Sequence, residues 1–286
     1  VASALAVWGT ARATGAEVLL RIEDHDRQRC RPEFEAALLE DLEWLGLEPD
    51  LGTPADYRRG ASPSRQSDND QRYAAAVARL IDGGQRVYAC DCSRRDRAGE
   101  GGDVPDRETP YPGRCRDRGL EPGAGRGLRL VLGPGVETFT DPWRGPQTQE
   151  PARQCGDLLL RDRLGNWTYQ FAVVVDDLEH QVDLVVRGED LLESTGRQIR
   201  LARLLGRGMA PTFCHHPLIR KPGGAKLSKA SGDTSLKALR ETGVTSQEVI
   251  GRALEAMGWV VGPRPTVLAE ALGEVSRSLD HFFTRA

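Results

Sequence analysis

Lys226 and Lys229 stand three residues apart in Lys226-Leu227-Ser228-Lys229-Ala230, directly after the pliable stretch Lys221-Pro222-Gly223-Gly224. Two ammonium groups at that spacing on a Gly-rich loop can close over a polyphosphate and neutralise the charge that grows as pyrophosphate leaves. The competing reading of the same residues is a solvated lysine pair. Cys90, Cys92 and Cys115 offer a second chemistry. C-x-C followed by a third cysteine supplies three thiolates able to hold zinc, and the segment contains no histidine, so the residues alone leave the fourth position to water or a carboxylate. Free structural thiols are the alternative. Cys30, Cys155 and Cys214 are isolated in the sequence and expected to be structural.

Composition narrows the setting for such chemistry. With 286 residues, 39% of them hydrophobic, the chain can bury a full core, and the length suits one large domain with a smaller insertion or appendage. A formal charge of -3 and a pI near 6.0 exclude a generally polybasic surface, so any RNA contact must be regional. No apolar run approaches the roughly 20 residues that span a bilayer, and no basic-then-apolar leader opens the sequence. The expected protein is cytoplasmic and has no membrane partner.

The elements that would position these residues read as a mixed α/β pattern. Residues 1–13 form an apolar helix ending before Gly15, followed by a strand over Glu17–Ile22 and the charged loop Arg21-Ile22-Glu23-Asp24-His25-Asp26-Arg27. A helix from Pro32 should bury Phe34, Leu38, Leu42 and Leu45 and stop at Gly46. A second should start at Ser67, capped by Ser67 with Asp70, and bury Tyr73, Val77, Leu80 and Ile81. Strands are predicted at 86–90, 127–132, 157–162 and 182–188, and helices at 168–178 and from Ser194 or Thr195 to Gly206. The last fifty residues, from Ser235, read as mainly helical. The Gly/Pro/Arg-rich stretch 94–125 is the obvious irregular region.

Several segments, in order along the chain, resemble signatures of the class I aminoacyl-tRNA synthetases. The lysine loop resembles their KMSKS element, and Leu19 to Arg27 resembles the RIEDTDR segment of the glutamyl branch. Tyr169-Gln170 with Val173-Val174-Val175-Asp176-Asp177, then Val186-Arg187-Gly188-Glu189-Asp190-Leu191-Leu192 with Ser194-Thr195, and His215-His216-Pro217-Leu218 continue the likeness. It extends from Val1 to about Trp259, which no single motif could support. Cys90-x-Cys92 with Tyr111-x3-Cys115 is similar to the zinc-binding insertion of the glutamyl-Q tRNA(Asp) synthetases, and that likeness alone promotes Tyr111 to the fourth ligand.

The resemblance implies a Rossmann-like α/β catalytic domain with a zinc-binding insertion and a mainly helical C-terminal segment. The expected divisions are 1–89 and 152–220 as the two catalytic halves, 90–151 as the insertion, and 221–286 as the lysine loop with the helical tail. L-Glutamate carries an ammonium and two carboxylates, so its site needs an anion and cationic or hydroxyl donors. Glu23 at one strand end suits the ammonium, Arg187 at another offers a planar fork to a carboxylate, and Tyr169 adds a hydroxyl. A structural ion pair is the plain alternative for Glu23 and Arg187. The implied reaction is attack of glutamate on the α-phosphate of ATP, with Mg²⁺ accompanying the nucleotide, Lys229 contacting ATP and Lys226 supporting loop closure. Replacing Lys229 by Ala is then expected to lower the adenylation rate far more than glutamate affinity.

The implied acceptor is the queuosine base of tRNA(Asp), with a monomeric protein and no need of tRNA for activation. The short tail after Lys229 favours this over a discriminating glutamyl-tRNA synthetase fragment, and a noncatalytic tRNA-binding paralogue is a third reading. The family pattern also has a strand, an R-x-A-P-S-P-T-G loop and a HIGH-type motif ahead of the position of Val1. A misassigned start codon or a truncated sequence is the expected reason for their absence, and the chain as written is expected to bind ATP and glutamate poorly.

Overall fold

The computed structural model describes residues 1–26, 30–93, 96, 109–219 and 235–283. Helix α1 (Ala2–Thr14) buries Leu5, Ala6, Gly9 and Ala11 and ends where Gly15 adopts the left-handed φ of 69°. Gly9 lets it approach the last helix: a Cβ there would lie 2.4 Å from Cβ of Val275. The segment expected as a strand over Glu17–Ile22 makes only two isolated parallel bridges, Leu19 to Leu51 and Ile22 to Arg65. Its partner segment departs between those points into a short helix, so no continuous ladder forms. The opposite side of this segment faces a cavity of about 770 Å³, whose far wall is residues 182–186.

Helix α2 (Pro32–Leu45) has Pro at its first turn and Gly46 in the left-handed region at its end, as its sequence predicts. Its buried face is Leu39, Leu42 and Leu45; Phe34 and Leu38 are exposed, contrary to expectation. Both sets fit a 3.6-residue period, and the helix is rolled toward the second. After α3 (Pro54–Arg58) and a 3-10 turn, α4 (Asp70–Asp82) buries Tyr73, Val77 and Leu80 but exposes Ile81. The Ser67–Asp70 capping box is absent: Asn69 occupies the N-cap without a side-chain cap. Asp70 instead accepts the indole N–H of Trp167 at 2.6 Å.

Strands β1 (Val87–Cys90), β2 (Gly127–Leu130) and β5 (Leu158–Arg161) form an antiparallel sheet in the order β1-β2-β5. Between β2 and β5 lie a hairpin, β3 (Glu137–Asp141) with β4 (Gly145–Gln149), and the short helix α5 (Pro151–Cys155). Helix α6 (Tyr169–Glu179) is buried nearly all round from Phe171 to Asp177. Strand β6 (Leu184–Gly188), a 3-10 helix over Glu189–Ser194, helix α7 (Thr195–Leu204) and β7 (Thr212–His216) follow, with β6 and β7 paired in parallel. Helices α8 (Leu236–Glu241), α9 (Ser246–Ala256) and α10 (Leu268–Phe283) make the expected helical tail.

Two cores hold these elements. One packs Tyr73, Leu80, Leu130, Leu160, Phe171 and Leu201 between the three-stranded sheet and α4, α6 and α7. The other joins α1 and α2 to the tail through Leu5, Leu42, Ile250, Leu254 and Val275. The first core contains one charged hub. Asp176, 1% exposed, accepts from Tyr73, Gln66 and Arg72, so its desolvation is offset by charge-assisted hydrogen bonds.

Candidate active site and metal centre

Glu23 follows the bridged segment 17–22, Tyr169 opens α6, and Arg187 lies near the carboxyl end of β6, the end of a parallel strand where α/β proteins commonly bind ligands. The three converge. Burial raises the Tyr169 hydroxyl pKa and the Glu23 charge adds to that, while the Arg187 guanidinium opposes both. Burial likewise lowers the Arg187 pKa, against the opposing pull of Tyr169, Asp177 and Glu23.

Two neighbours that sequence reasoning left without a role complete the charge balance. Arg21 donates to Glu23 at 2.8 Å and to Asp177 at 2.5 Å. Its own burial disfavours the charge, but Asp177 and Glu23 more than compensate and hold it protonated. Burial pushes the Asp177 carboxyl up, opposed by Arg21. Asp177 was readable as part of a motif, yet its partner is 156 residues away, and pattern alone does not reveal such a pair.

Arg187 is less free than an isolated fork. Its Nε donates to Nε2 of His215 at 3.0 Å, Nη1 to Gln198 at 2.6 Å, and Nη2 to Thr195 at 2.9 Å and the Leu191 carbonyl at 3.3 Å. Four of its five donors, one on Nε, one on Nη1 and two on Nη2, are therefore used inside the protein. One remains, on a guanidinium whose charge is felt by Tyr169. Any carboxylate received here meets one guanidinium N–H and a phenol.

The second cluster lies at the end of β1. The ligand atoms of Cys90, Cys92 and Cys115 lie within 4.8 Å of one another. Tyr111 Oη is 3.4 Å from the sulfurs of both Cys90 and Cys92, and the Cys92 and Cys115 sulfurs are 3.4 Å apart. Thiolates about 2.3 Å from one tetrahedral zinc ion stand about 3.8 Å apart, a spacing of the order found in this set. The backbone N–H of Cys115 donates to Tyr111 Oη at 3.1 Å, and Arg129 stacks over the Tyr111 ring at 3.7 Å. Burial works against ionisation of Cys90, but hydrogen bonding to Tyr111 and the backbone and the nearby Arg129 bring its pKa below the ordinary thiol value. Burial pushes the Cys92 thiol up to about 11. The donor set thus fits a metal ion that ionises its own ligands.

The insertion is joined to the sheet at a backbone seam. Tyr111 bridges Gly156, donating to the Cys155 carbonyl at 2.9 Å and accepting from Asp157 N–H at 3.3 Å. A Cβ on Gly156 would lie 2.0 Å from the Tyr111 carbonyl oxygen, so no side chain fits there.

The family model for class I tRNA synthetases of the E and Q type, catalytic domain, matches residues 1–277. The chain belongs to this family. Among relatives of this class I catalytic domain is the glutamyl-Q tRNA(Asp) synthetase of Nitratidesulfovibrio vulgaris, 38% identical over 94% of this chain and 85% of that protein. Another is that of Bordetella bronchiseptica, 44% identical over 82% of this chain and 71% of its own length. A crystal structure of glutamate-tRNA synthetase from Elizabethkingia anophelis superimposes with a TM-score of 0.75 at 26% identity, covering 96% of this chain and 62% of that one. The α/β fold expected from the motifs is therefore that of a class I synthetase catalytic domain, and the family is one of ligases.

Of the residues singled out in the sequence, this class I domain brings Glu23, Tyr169 and Arg187 into one charged neighbourhood, and Cys90, Cys92, Tyr111 and Cys115 into another. Lys226 and Lys229 lie outside the described residues. Sequence reasoning missed the anchor behind Arg187: Asp141, Thr195, Gln198 and His215, each at most 3% exposed. His215 was within a recognised motif, but nothing in its spacing pointed to Asp141.

Proposed function

We propose that this protein activates L-glutamate with ATP as glutamyl-adenylate, without needing tRNA, and transfers the glutamyl group to the queuosine base of tRNA(Asp). The observation that carries the amino-acid side of this reading is the electrostatic coupling of Glu23, Tyr169 and Arg187, which keeps one N–H uncommitted, at the end of β6. An anion and a donor pair in one neighbourhood suit the opposite ends of an acidic amino acid. The names of the relatives at 38% and 44% identity support the acceptor. Adenylation is an in-line attack by the glutamate α-carboxylate on the α-phosphate, with no covalent bond to the protein, so positioning and charge stabilisation carry the step. Lys229 contacts ATP, Lys226 helps close the loop, and Mg²⁺ arrives with the nucleotide.

Cys90, Cys92, Tyr111 and Cys115 would hold a structural zinc ion, which contributes folding free energy to a loop-rich insertion. No helix among the described residues is long and apolar enough to cross a membrane, in keeping with a cytoplasmic enzyme. Glutamate-dependent ATP/pyrophosphate exchange in the absence of tRNA tests activation. Transfer of labelled glutamate to tRNA(Asp) with and without queuosine tests the acceptor. A second reading, a discriminating glutamate-tRNA synthetase, draws on the fold likeness to such a structure, of which this chain covers 62%. Charging of tRNA(Glu) in place of queuosine-bearing tRNA(Asp) would select it.

A further inference from the structure

Arg187 is held from behind by a chain of buried groups that begins in the β3–β4 turn. Asp141, fully buried, accepts at Oδ1 from the backbone N–H of Trp143 at 2.7 Å and of Arg144 at 2.9 Å. At Oδ2 it meets the backbone N–H of His215 at 2.9 Å and the His215 ring Nδ1 at 2.6 Å. The other ring nitrogen, Nε2, faces Nε of Arg187 at 3.0 Å. An arginine N–H can only donate, so Nε2 must accept, and in the neutral ring the proton therefore sits on Nδ1 and points at Asp141. The Thr195 hydroxyl, 3.2 Å from Nε2, fits the same assignment. Phe213 stacks on the imidazole with an interplanar angle of 15°, and lies 5.0 Å from the guanidinium, closing the remaining side.

We infer that His215 and Asp141 are positioning residues for amino-acid recognition: together they fix one imidazole tautomer, and that tautomer fixes the plane of Arg187 and aims its single uncommitted N–H at the ligand beside Tyr169. The inference rests on the glutamate reading of that site. It locates part of the site's specificity in a turn 74 residues away in sequence from the histidine that transmits it. A guanidinium free to rotate would offer its fork to carboxylates at several depths, whereas one fixed N–H accepts a single depth.

Asp141→Asn is the sharpest perturbation because it keeps the shape and changes one donor. Two backbone N–H groups fix the amide oxygen toward the turn, so the new NH₂ faces His215, where the backbone N–H loses its acceptor and the ring can pair with the amide only by moving its proton to Nε2. That proton then opposes the Arg187 N–H, as in catalytic triads where an Asp-to-Asn change leaves geometry intact but selects the wrong tautomer. In the full-length protein, ¹⁵N-edited imidazole spectra should show a neutral Nδ1–H ring for His215 and an Nε2–H ring in Asp141→Asn. The glutamate KM in pyrophosphate exchange should rise roughly 10- to 100-fold while kcat changes less than about threefold. His215→Gln, whose amide can accept from Arg187 and donate to Asp141, should restore KM to within about threefold of the wild type, and His215→Phe should not.

A wild-type ring protonated at Nε2 overturns the inference, as does an unchanged KM in an Asp141→Asn protein whose ring has switched. Should Asp141→Asn fail to fold, the contrast between His215→Gln and His215→Phe decides, with equal KM values overturning it. Absence of glutamate-dependent exchange in the wild type would sink the glutamate reading instead. In that event the tautomer and the chemical shift of the Arg187 Nε–H, moved by His215→Phe and retained by His215→Gln, still test the positioning.

Discussion

Around Arg187 and around Cys115 the chain buries polar side chains by opposite means. The guanidinium is ringed by hydrogen-bond acceptors from α7, β7 and the 3-10 helix, each of which belongs to a packed element. The thiols have support from loops: the Cys115 sulfur meets Asp91 and the exposed Arg118 at 3.4 Å each. Their hydrophobic cluster is small: Cys90, Tyr111 and Cys115, with Tyr88, Cys92 and Leu120 packed against it. A site whose donors and acceptors are already matched keeps its shape before its ligand arrives, whereas a set of facing thiols is coherent only around a cation.

The largest test of that contrast is chelation, or Cys115→Ala. Structural zinc in small peptides contributes about 10–16 kcal/mol of apparent binding free energy, so losing it should release the insertion to proteolysis after Arg114 and Arg116. Metal analysis and limited digestion read this out. The contrast predicts that glutamate binding changes far less; parallel loss of both would erase it. Next comes Arg187→Met, which strips the ring of acceptors of its donor and should weaken glutamate binding by about 2–5 kcal/mol, measured by titration calorimetry. A variant that binds as before would make Arg187 merely structural.

Tyr169→Phe should be milder, about 0.5–1.5 kcal/mol in glutamate affinity, since one neutral hydrogen bond is lost while the ring stays. The smallest effect is on pH. Burial lowers the pKa of His215 below 6.5 against the opposing hydrogen bond to Asp141, and burial does the same to His216, whose Nε2 meets the Ser3 hydroxyl at 2.7 Å. The native state keeps both rings neutral while the unfolded chain protonates near 6.5, so stability is complete above that value and declines as pH falls toward the depressed native values. Thermal melts between pH 7 and pH 5 should show the decline, and His216→Gln should reduce its slope. An unchanged slope would mean that His216 adds nothing to it.

Much of the scaffold was readable from residue order. Pro32 and Gly46 bracketed α2 correctly, and Gly127–Leu130, Leu158–Arg161 and Leu184–Gly188 are strands as their apolar runs suggested. Phe34 and Leu38 were placed on the wrong face because two stripes of equal period overlap on one helix, and only the tertiary contact chooses between them. The β3–β4 hairpin went unread amid turn-forming Asp141, Pro142 and Gly145, although its strands alternate. Glu23, Tyr169 and Arg187 came from motif likeness. What holds Arg187 in place could not come from sequence, because Asp141 to His215 is a relation in space alone.

The bare glycine opposite Tyr111 decides how the insertion lets go. With main chain lying on main chain at that point, the Tyr111 and Asp157 amides open as one pair once the thiols part, so solvent deuterium should reach both together and ahead of the Leu158–Arg161 strand. The joint is a zip fastener whose first tooth is Gly156, and any larger residue there would leave it standing open from birth.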